Sequence, residues 1–315
     1  MIDSRIKVRH LQTFVEVARQ KSVMRAAALL NVSQPAVTKT IRELEEILGI
    51  AVIERDGRGV RLTRHGEVFL KYAASAIATI RQGLDSVSQD GQGTVAPVRV
   101  GALPTVSSRI MPRAMELFFR AETWGRVRIV TGENTVLLDQ LRVGQLDVVV
   151  GRLAAPEKMA GFSFEMLYSE QVAFVVRAGH PLLKAREKLF ARLGEHIVLM
   201  PTPSSVIRPL VDSLLIAHGL ANLPHQIETV SDSFGRDFLR RTDAVWIISR
   251  GVVAHDLADG WLLELPIDTR ETRGAVGLTV RADAERSALL ALVMQTIREA
   301  AREASDCHSV IVRRP

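Results

Sequence analysis

The stretch that decides the fold is Ser22-Val23-Met24-Arg25-Ala26-Ala27-Ala28-Leu29-Leu30, then Asn31-Val32, then Ser33-Gln34-Pro35-Ala36-Val37-Thr38-Lys39-Thr40-Ile41-Arg42-Glu43-Leu44-Glu45-Glu46-Ile47-Leu48. Ser22 and Ser33 each stand where a side-chain oxygen can cap a helix. Pro35 falls in a first turn, where its missing N–H has no intrahelical partner to lose. Ala26, Ala27 and Leu30 share one helix face, and Val37, Ile41, Leu44 and Leu48 share another. Two short helices meeting at Asn31-Val32-Ser33 predict a helix-turn-helix.

Working outward, Leu11, Phe14, Val15 and Ala18 lie on one face of a preceding helix. After Gly49, Ala51-Val52-Ile53 and Val60-Arg61-Leu62 are short β-prone runs, and Asp56-Gly57-Arg58-Gly59 between them is a turn signal. That pattern predicts a hairpin wing. Thr63 caps a long fourth helix, on which Phe69, Ala73, Ala76, Ile80, Leu84 and Val87 recur at steps of three and four, a seam suited to another helix. Ser88 to Ala96 is polar, glycine-rich and aperiodic, which predicts a linker.

Off the buried stripe of the third helix lie Gln34, Thr38, Lys39, Arg42 and Glu45. The first four can hydrogen-bond and fall on successive turns, as a helix in a DNA major groove requires: short polar groups near its start for bases, longer cations for backbone or guanine. The wing adds Arg55, Arg58, Arg61 and Arg64, which can reach phosphates or the minor groove. A solvated polar face on an ordinary bundle would carry the same pattern. Charge does not decide between them, since residues 1–90 hold 14 Lys and Arg against 10 Asp and Glu.

Beyond residue 96 the texture changes to strand–helix alternation. Strands are expected at Val98 to Leu103, Val127 to Val130 and Asp147 to Val150, with helices at Ile110 to Phe119 and Val136 to Val143. A second set covers Val172 to Val176, Ile197 to Leu199, Ile207 to His218, Gln226 to Val230, Phe234 to Arg241 and Ala244 to Ile248. Val276 to Val280 and Ala284 to Ala304 close the chain. This is the pattern of mostly parallel α/β sheets, and two lobes crossed near Tyr168–Glu170 and Pro266–Arg270 would enclose a cleft. Ligands in such clefts sit near strand ends and helix starts.

Three segments are expected to line it: Leu103 to Ser108 after the first strand, with Thr105, Val106 and Ser107; Thr131 to Asn134 after the second, with Thr131 and Gly132; and Pro201 to Ser205 before the second lobe's helix, with Thr202, Pro203 and Ser204. Helix-start donors and hydroxyls suit a carboxylate, although each hydroxyl alone is also a plain cap. Arg152 and Arg250 each follow a strand and can supply the charge; Arg177 and Arg208 are further cations of this half.

The bulk properties exclude several classes. The 315-residue chain is 47 % hydrophobic and only 5 % aromatic, with a net charge of +6 and a sequence pI of about 9.9. One cysteine, Cys307, allows no internal disulfide or cysteine-based zinc site. No signal-peptide pattern opens the chain, no apolar run is long enough for a membrane span, and a cytoplasmic location is expected. None of the usual nucleophile, zinc, P-loop or dinucleotide motifs occurs, so neither enzyme chemistry nor a cofactor is expected.

His10-Leu11-Gln12-Thr13-Phe14, Ser22-Val23, Ala26 to Leu30, Val32 to Thr38, Ile41 to Glu45, Leu48-Gly49, Glu54-Arg55 and Leu62 to Gly66 together resemble the signature of the LysR family of transcriptional regulators. Thr38 departs from it, since serine is commoner there. The resemblance implies a winged helix-turn-helix, a linker-helix dimer and a two-lobed α/β effector domain similar to periplasmic binding proteins. It also implies recognition positions at Ser33, Gln34, Pro35, Thr38, Lys39 and Arg42. The expected division is 1–63 for DNA binding, 64–96 for linker helix and hinge, and 97–315 for the effector domain, with lobes at about 97–168 plus 271–305 and 169–270.

Val98 to Val106, Val130 to Asn134, Gln140 to Gly144 and Gly151 to Ala154 resemble LysR-type regulators of protocatechuate catabolism, which respond to carboxylated muconate-type products. The implied partners are operator DNA, a small carboxylate effector, a second or further copies of the chain in a homodimer or homotetramer, and RNA polymerase; no membrane is involved. A sugar-responsive or other neutral-ligand regulator shares much of the pattern, and a solute-binding protein would explain only the second half.

Overall fold

The computed structural model describes residues 5–57, 59–92, 96–121, 125–184, 189–220, 222–282, 284 and 286–311. Two compact units result, the first made of residues up to 96 with 139–146 and 281–284, the second of the remaining residues from 97 onward.

In the first unit, α1 (Val8–Gln20), α2 (Val23–Leu30) and α3 (Gln34–Leu48) precede a hairpin of β1 (Ile53–Asp56) and β2 (Gly59–Leu62), and α4 (Arg64–Gln92) follows. The caps are local and specific. Ser22 Oγ accepts from Arg25 N at 3.3 Å, Ser33 Oγ from Ala36 N at 3.4 Å, and Thr63 Oγ1 from Gly66 N at 3.0 Å. Gly49, with φ of 69°, closes α3 in the left-handed region where a Cβ is penalised. Phe14, Val17, Ala26, Val37, Ile41, Leu44, Val52, Ala73 and Ala74 form the core.

The hairpin begins later than its β-prone run suggests. Strand pairing starts at Ile53 opposite Leu62, while Ala51 and Val52 serve a junction. The Val52 carbonyl accepts from Thr63 N at 3.2 Å, and the Ala51 carbonyl accepts from the Thr63 hydroxyl at 2.8 Å. Gly66 completes that junction, because a Cβ there would stand 1.9 Å from the Val52 oxygen. Helix α4 also runs on to Gln92, past Ser88, which shortens the expected linker; residues 93–95 lie outside the described residues.

The second unit holds two mixed sheets. The first lobe contains β3 (Val98–Ala102), α5 (Pro104–Ser107), α6 (Met111–Arg120), β4 (Val127–Thr131), α7 (Asn134–Arg142), β5 (Val148–Arg152) and β6 (Phe162–Glu170). The second contains β7 (Val172–Arg177), α8 (Leu189–Leu193), β8 (Val198–Met200), α9 (Arg208–Ala217), β9 (Gln226–Glu228), α10 (Asp232–Arg241), β10 (Val245–Ser249), α11 (Ala254–Ala258) and β11 (Leu262–Glu264). The chain then returns to the first lobe as β12 (Gly274–Arg281) and α12 (Ala288–Ile311).

Strand order is β4-β3-β5-β12-β6 in one sheet and β11-β7-β10-β8-β9 in the other. Parallel pairs β3–β4 and β3–β5 are joined by antiparallel β12–β5, and parallel β8–β9 and β8–β10 by antiparallel β7–β10. Returning β12 makes the first sheet mixed and entering β7 the second, where βαβ texture alone predicts parallel pairing. Separate aliphatic cores sit under the two sheets. Gln171 alone links β6 to β7.

Candidate functional site

The outer face of α3 brings Gln34, Pro35, Thr38, Lys39 and Arg42 together with Glu43 and Glu46. All but Thr38 among the first five are exposed. Thr38 donates its hydroxyl back to the Gln34 carbonyl at 3.1 Å, leaving its oxygen free to accept. Ser33 stands at the helix start as the cap. Glu43 would repel phosphate, but Arg9 of α1 pairs with it at 3.2 Å and His10 hydrogen-bonds to it at 3.3 Å. The His10 hydrogen bond, with Arg9 and Lys39 nearby, holds its carboxyl below the ordinary range.

Glu45 belongs to a different task. Its Oε1 accepts from Val52 N at 2.9 Å and Ile53 N at 3.2 Å, clamping the recognition helix to the root of the wing. On the wing, Arg55 is exposed and Arg61 pairs with Glu54 across the strands at 3.0 Å. Arg58 lies outside the described residues, as do the side chains of Val87 and Cys307.

The apolar seam of α4 divides. Phe69 and Ala73 pack into the unit's own core, whereas Ile80 and Leu84 are 40 % and 65 % exposed; Val68 and Tyr72, on another face of the helix, are also exposed.

Between the lobes of the second unit lies a cleft of about 340 Å³. Thr105, Ser107, Thr131, Gly132, Arg152 and Thr202 all line it. Four expected contacts do not. Val106 is fully buried in the first lobe's core, because it lies on the inward side of α5. Pro203 and Ser204 are exposed one turn beyond Thr202; Ser204 keeps only an indirect link, its hydroxyl 3.3 Å from that of Thr202. Arg250 is drawn to Glu264 at 3.1 Å and borders a separate recess with Arg109, Arg270 and Arg273. The other cations are also spent elsewhere, Arg177 on Asp243 and Arg208 on Asp212 and Glu228.

Arg152 is in the cleft wall but is 5 % exposed. Its Nη1 donates to the Thr272 carbonyl at 2.8 Å and its Nη2 to the Glu170 carbonyl at 2.7 Å, tying the two crossings together. It therefore contributes positive field rather than an open fork. Burial pushes the Glu170 carboxyl upward despite Arg152 and Arg109 nearby, which leaves Arg152 less fully compensated.

The sequence reading missed most of one wall. Thr229, Val230, Ser231 and Asp232 line the cleft where β9 runs into α10, and Trp246, Ile248 and Ser249 come from β10. Ser231 caps α10 through Phe234 N at 3.2 Å, the same strand-to-helix signal that marks the other segments. Asn134, also in the wall, donates to the Arg152 carbonyl at 3.2 Å.

A winged helix-turn-helix followed by a two-lobed domain with an inter-lobe cleft defines a DNA-binding transcriptional regulator with an effector domain. Residues 8–67 match the bacterial regulatory helix-turn-helix protein, lysR family, and residues 91–302 match the LysR substrate binding domain. The chain belongs to the LysR family and is a regulator, not an enzyme. It is 65 % identical over 306 residues to the HTH-type transcriptional regulator PcaQ of Agrobacterium fabrum, covering 97 % of this chain and 98 % of that protein. It is 34 % identical over 299 residues to YdcI of Escherichia coli, covering 95 % and 97 %.

Two full-length structures share the fold. LysG from Corynebacterium glutamicum with bound effector Arg gives a TM-score of 0.58 at 17 % identity, covering 95 % of this chain and 99 % of that one. CbnR complexed with its target DNA gives 0.51 at 20 %, covering 94 % and 100 %. Among the described residues no helix is long and apolar enough to cross a membrane.

Proposed function

We propose that this regulator acts in the cytoplasm on a catabolic operon, binding the promoter operator as a homodimer or homotetramer, working there with RNA polymerase, and answering to a small carboxylate of the protocatechuate pathway. Gln34, Thr38, Lys39 and Arg42 contact the DNA, with Ser33 and Pro35 setting the helix start and Arg55, Arg58 and Arg61 reaching the backbone from the wing. Ile80 and Leu84 supply the apolar strip for a second copy. Thr105, Ser107, Thr131, Gly132, Arg152 and Thr202 hold the effector.

The observation that carries the effector assignment is the cleft itself: Thr105, Thr131, Thr202 and Ser231 all line about 340 Å³ beside the buried charge of Arg152, and Ser231 caps the start of α10 there. Backbone and hydroxyl donors at helix starts are what a carboxylate seeks. The 65 % identity to PcaQ, spread over both halves, supports the same class. Trp246 also lines the cleft, and an aromatic wall is what a neutral sugar would use. Calorimetry of the full chain with 3-carboxymuconate, muconate and galactose separates the two. Carboxylates are expected to bind and galactose not. Galactose binding without any carboxylate binding overturns the assignment.

A further inference from the structure

Across the cleft, the Thr202 hydroxyl of the second lobe donates to Glu133 Oε1 of the first lobe at 3.0 Å. The site rule for such clefts is donors for an anion, yet here a protein carboxylate already occupies one of them. The charged side chains lining the cleft are Glu133, Arg152 and Asp232. Asp232 is paired with Arg236 at 2.9 Å, and Arg152 directs one N–H of each Nη to a carbonyl, while its buried Nε–H has no partner among the described residues. Glu133 makes no ion pair among the described residues, and Thr202 is its partner across the cleft.

We infer that Glu133 is an internal stand-in for the effector: it latches the lobes through Thr202 in the unliganded protein, and an effector carboxylate displaces it. The inference rests on the carboxylate reading of the cleft. A threonine hydroxyl has one proton, so Thr202 serves one carboxylate at a time and binding must be an exchange. The bond to be replaced is charge-assisted, and a neutral hydroxyl offers a weaker acceptor in return. Glu133 therefore selects for anionic ligands, and it sets a threshold, because its own charge opposes a polyanion until it swings away. A ligand that breaks one inter-lobe link and installs another differs in affinity between two lobe arrangements, which is the requirement for signalling.

The test uses the full chain. In calorimetry, Glu133→Gln is expected to bind 3-carboxymuconate on the order of tenfold more tightly than wild type, because a like charge several ångströms away has been removed. Its preference for carboxymuconate over galactose is expected to narrow. Hydrogen exchange of the unliganded protein reads the latch without any ligand. Glu133→Ala and Thr202→Val should each speed amide exchange in segments 131–134 and 201–205, and the double variant should add nothing further. Wild-type carboxymuconate affinity in Glu133→Gln overturns the displacement, and wild-type exchange in both single variants overturns the latch; either result leaves the carboxylate cleft standing. If carboxymuconate and muconate bind neither wild type nor variants, the carboxylate reading fails and the displacement falls with it, while the exchange cycle still decides the latch.

Discussion

Replacing Glu45 tests whether the recognition helix and wing are one rigid reader. Glu45 Oε1 is the shared acceptor for Val52 N at 2.9 Å and Ile53 N at 3.2 Å. Val52 is fully buried and Ile53 half-buried, so Glu45→Ala leaves one N–H without water and one that water can reach. A hydrogen bond to a charged group is worth ~1.5–3 kcal/mol, and an orphaned buried donor costs ~1–3 kcal/mol. With one oxygen serving both donors, the loss should total about 2–4 kcal/mol for the DNA-binding unit.

Glu45→Gln keeps a carbonyl oxygen for the same two donors and loses only the charge, so about 1 kcal/mol is expected. Urea unfolding of the full chain, followed through the first unit, gives the graded series. Operator titration reports the functional side: Glu45→Ala should lose affinity and wing-side footprint while Gln34 contacts persist. An alanine variant within about 0.5 kcal/mol of wild type, with an unchanged footprint, would refute the clamp.

Gln34→Ala and Arg42→Ala should each weaken operator binding by ~1–3 kcal/mol without lowering Tm, and Lys39→Ala should flatten the salt dependence; unchanged footprints in all three would exclude α3 as the reader. Ile80→Glu with Leu84→Glu places charges on the exposed strip of α4, and light scattering should show a smaller assembly; an intact one assigns association elsewhere. Glu170 is pushed above its ordinary value of 4.5 by burial, so the folded state favours its protonated form. As pH rises the unfolded chain loses that proton first, and stability falls from about pH 4.5 up through the raised value. Glu170→Gln stays neutral, and its Tm should decline less than wild type between pH 5 and 8; parallel curves would show that Glu170 titrates normally.

Local chemistry was legible in the sequence. Ser22, Ser33 and Thr63 read as caps because a cap needs only a side chain and the next three residues, and the buried stripe of α3 read from its period. Long-range geometry was not. Arg152 and Arg250 look alike in sequence, each closing an apolar strand, yet one turns inward to join the two crossings and the other turns to Glu264. Which way a strand-end side chain turns depends on what the returning chain at 269–272 presents, and no local pattern encodes that. β6 was missed for a related reason: Phe162-Ser163-Phe164-Glu165-Met166 alternates, but Leu167 and Tyr168 break the period, and its sheet neighbour β12 comes from far along the chain. The clamp by Glu45 was also hidden, since an acidic residue off a buried stripe resembles any solvated one.

The interleaving of β12 between β5 and β6 governs the order in which the newborn chain can settle. The second lobe's strands are contiguous from Val172 to Glu264, so its sheet is complete once that stretch has left the ribosome. The first lobe is synthesised earlier but waits, because β5 and β6 have an open edge between them until residues 274–281 arrive. Domains fold as units as they emerge, and unpaired strand edges invite wrong partners. The lobe that appears first is therefore the one that finishes last, and a transcript cut between Glu264 and Gly274 yields a chain with a finished second sheet and a sticky, half-built first one.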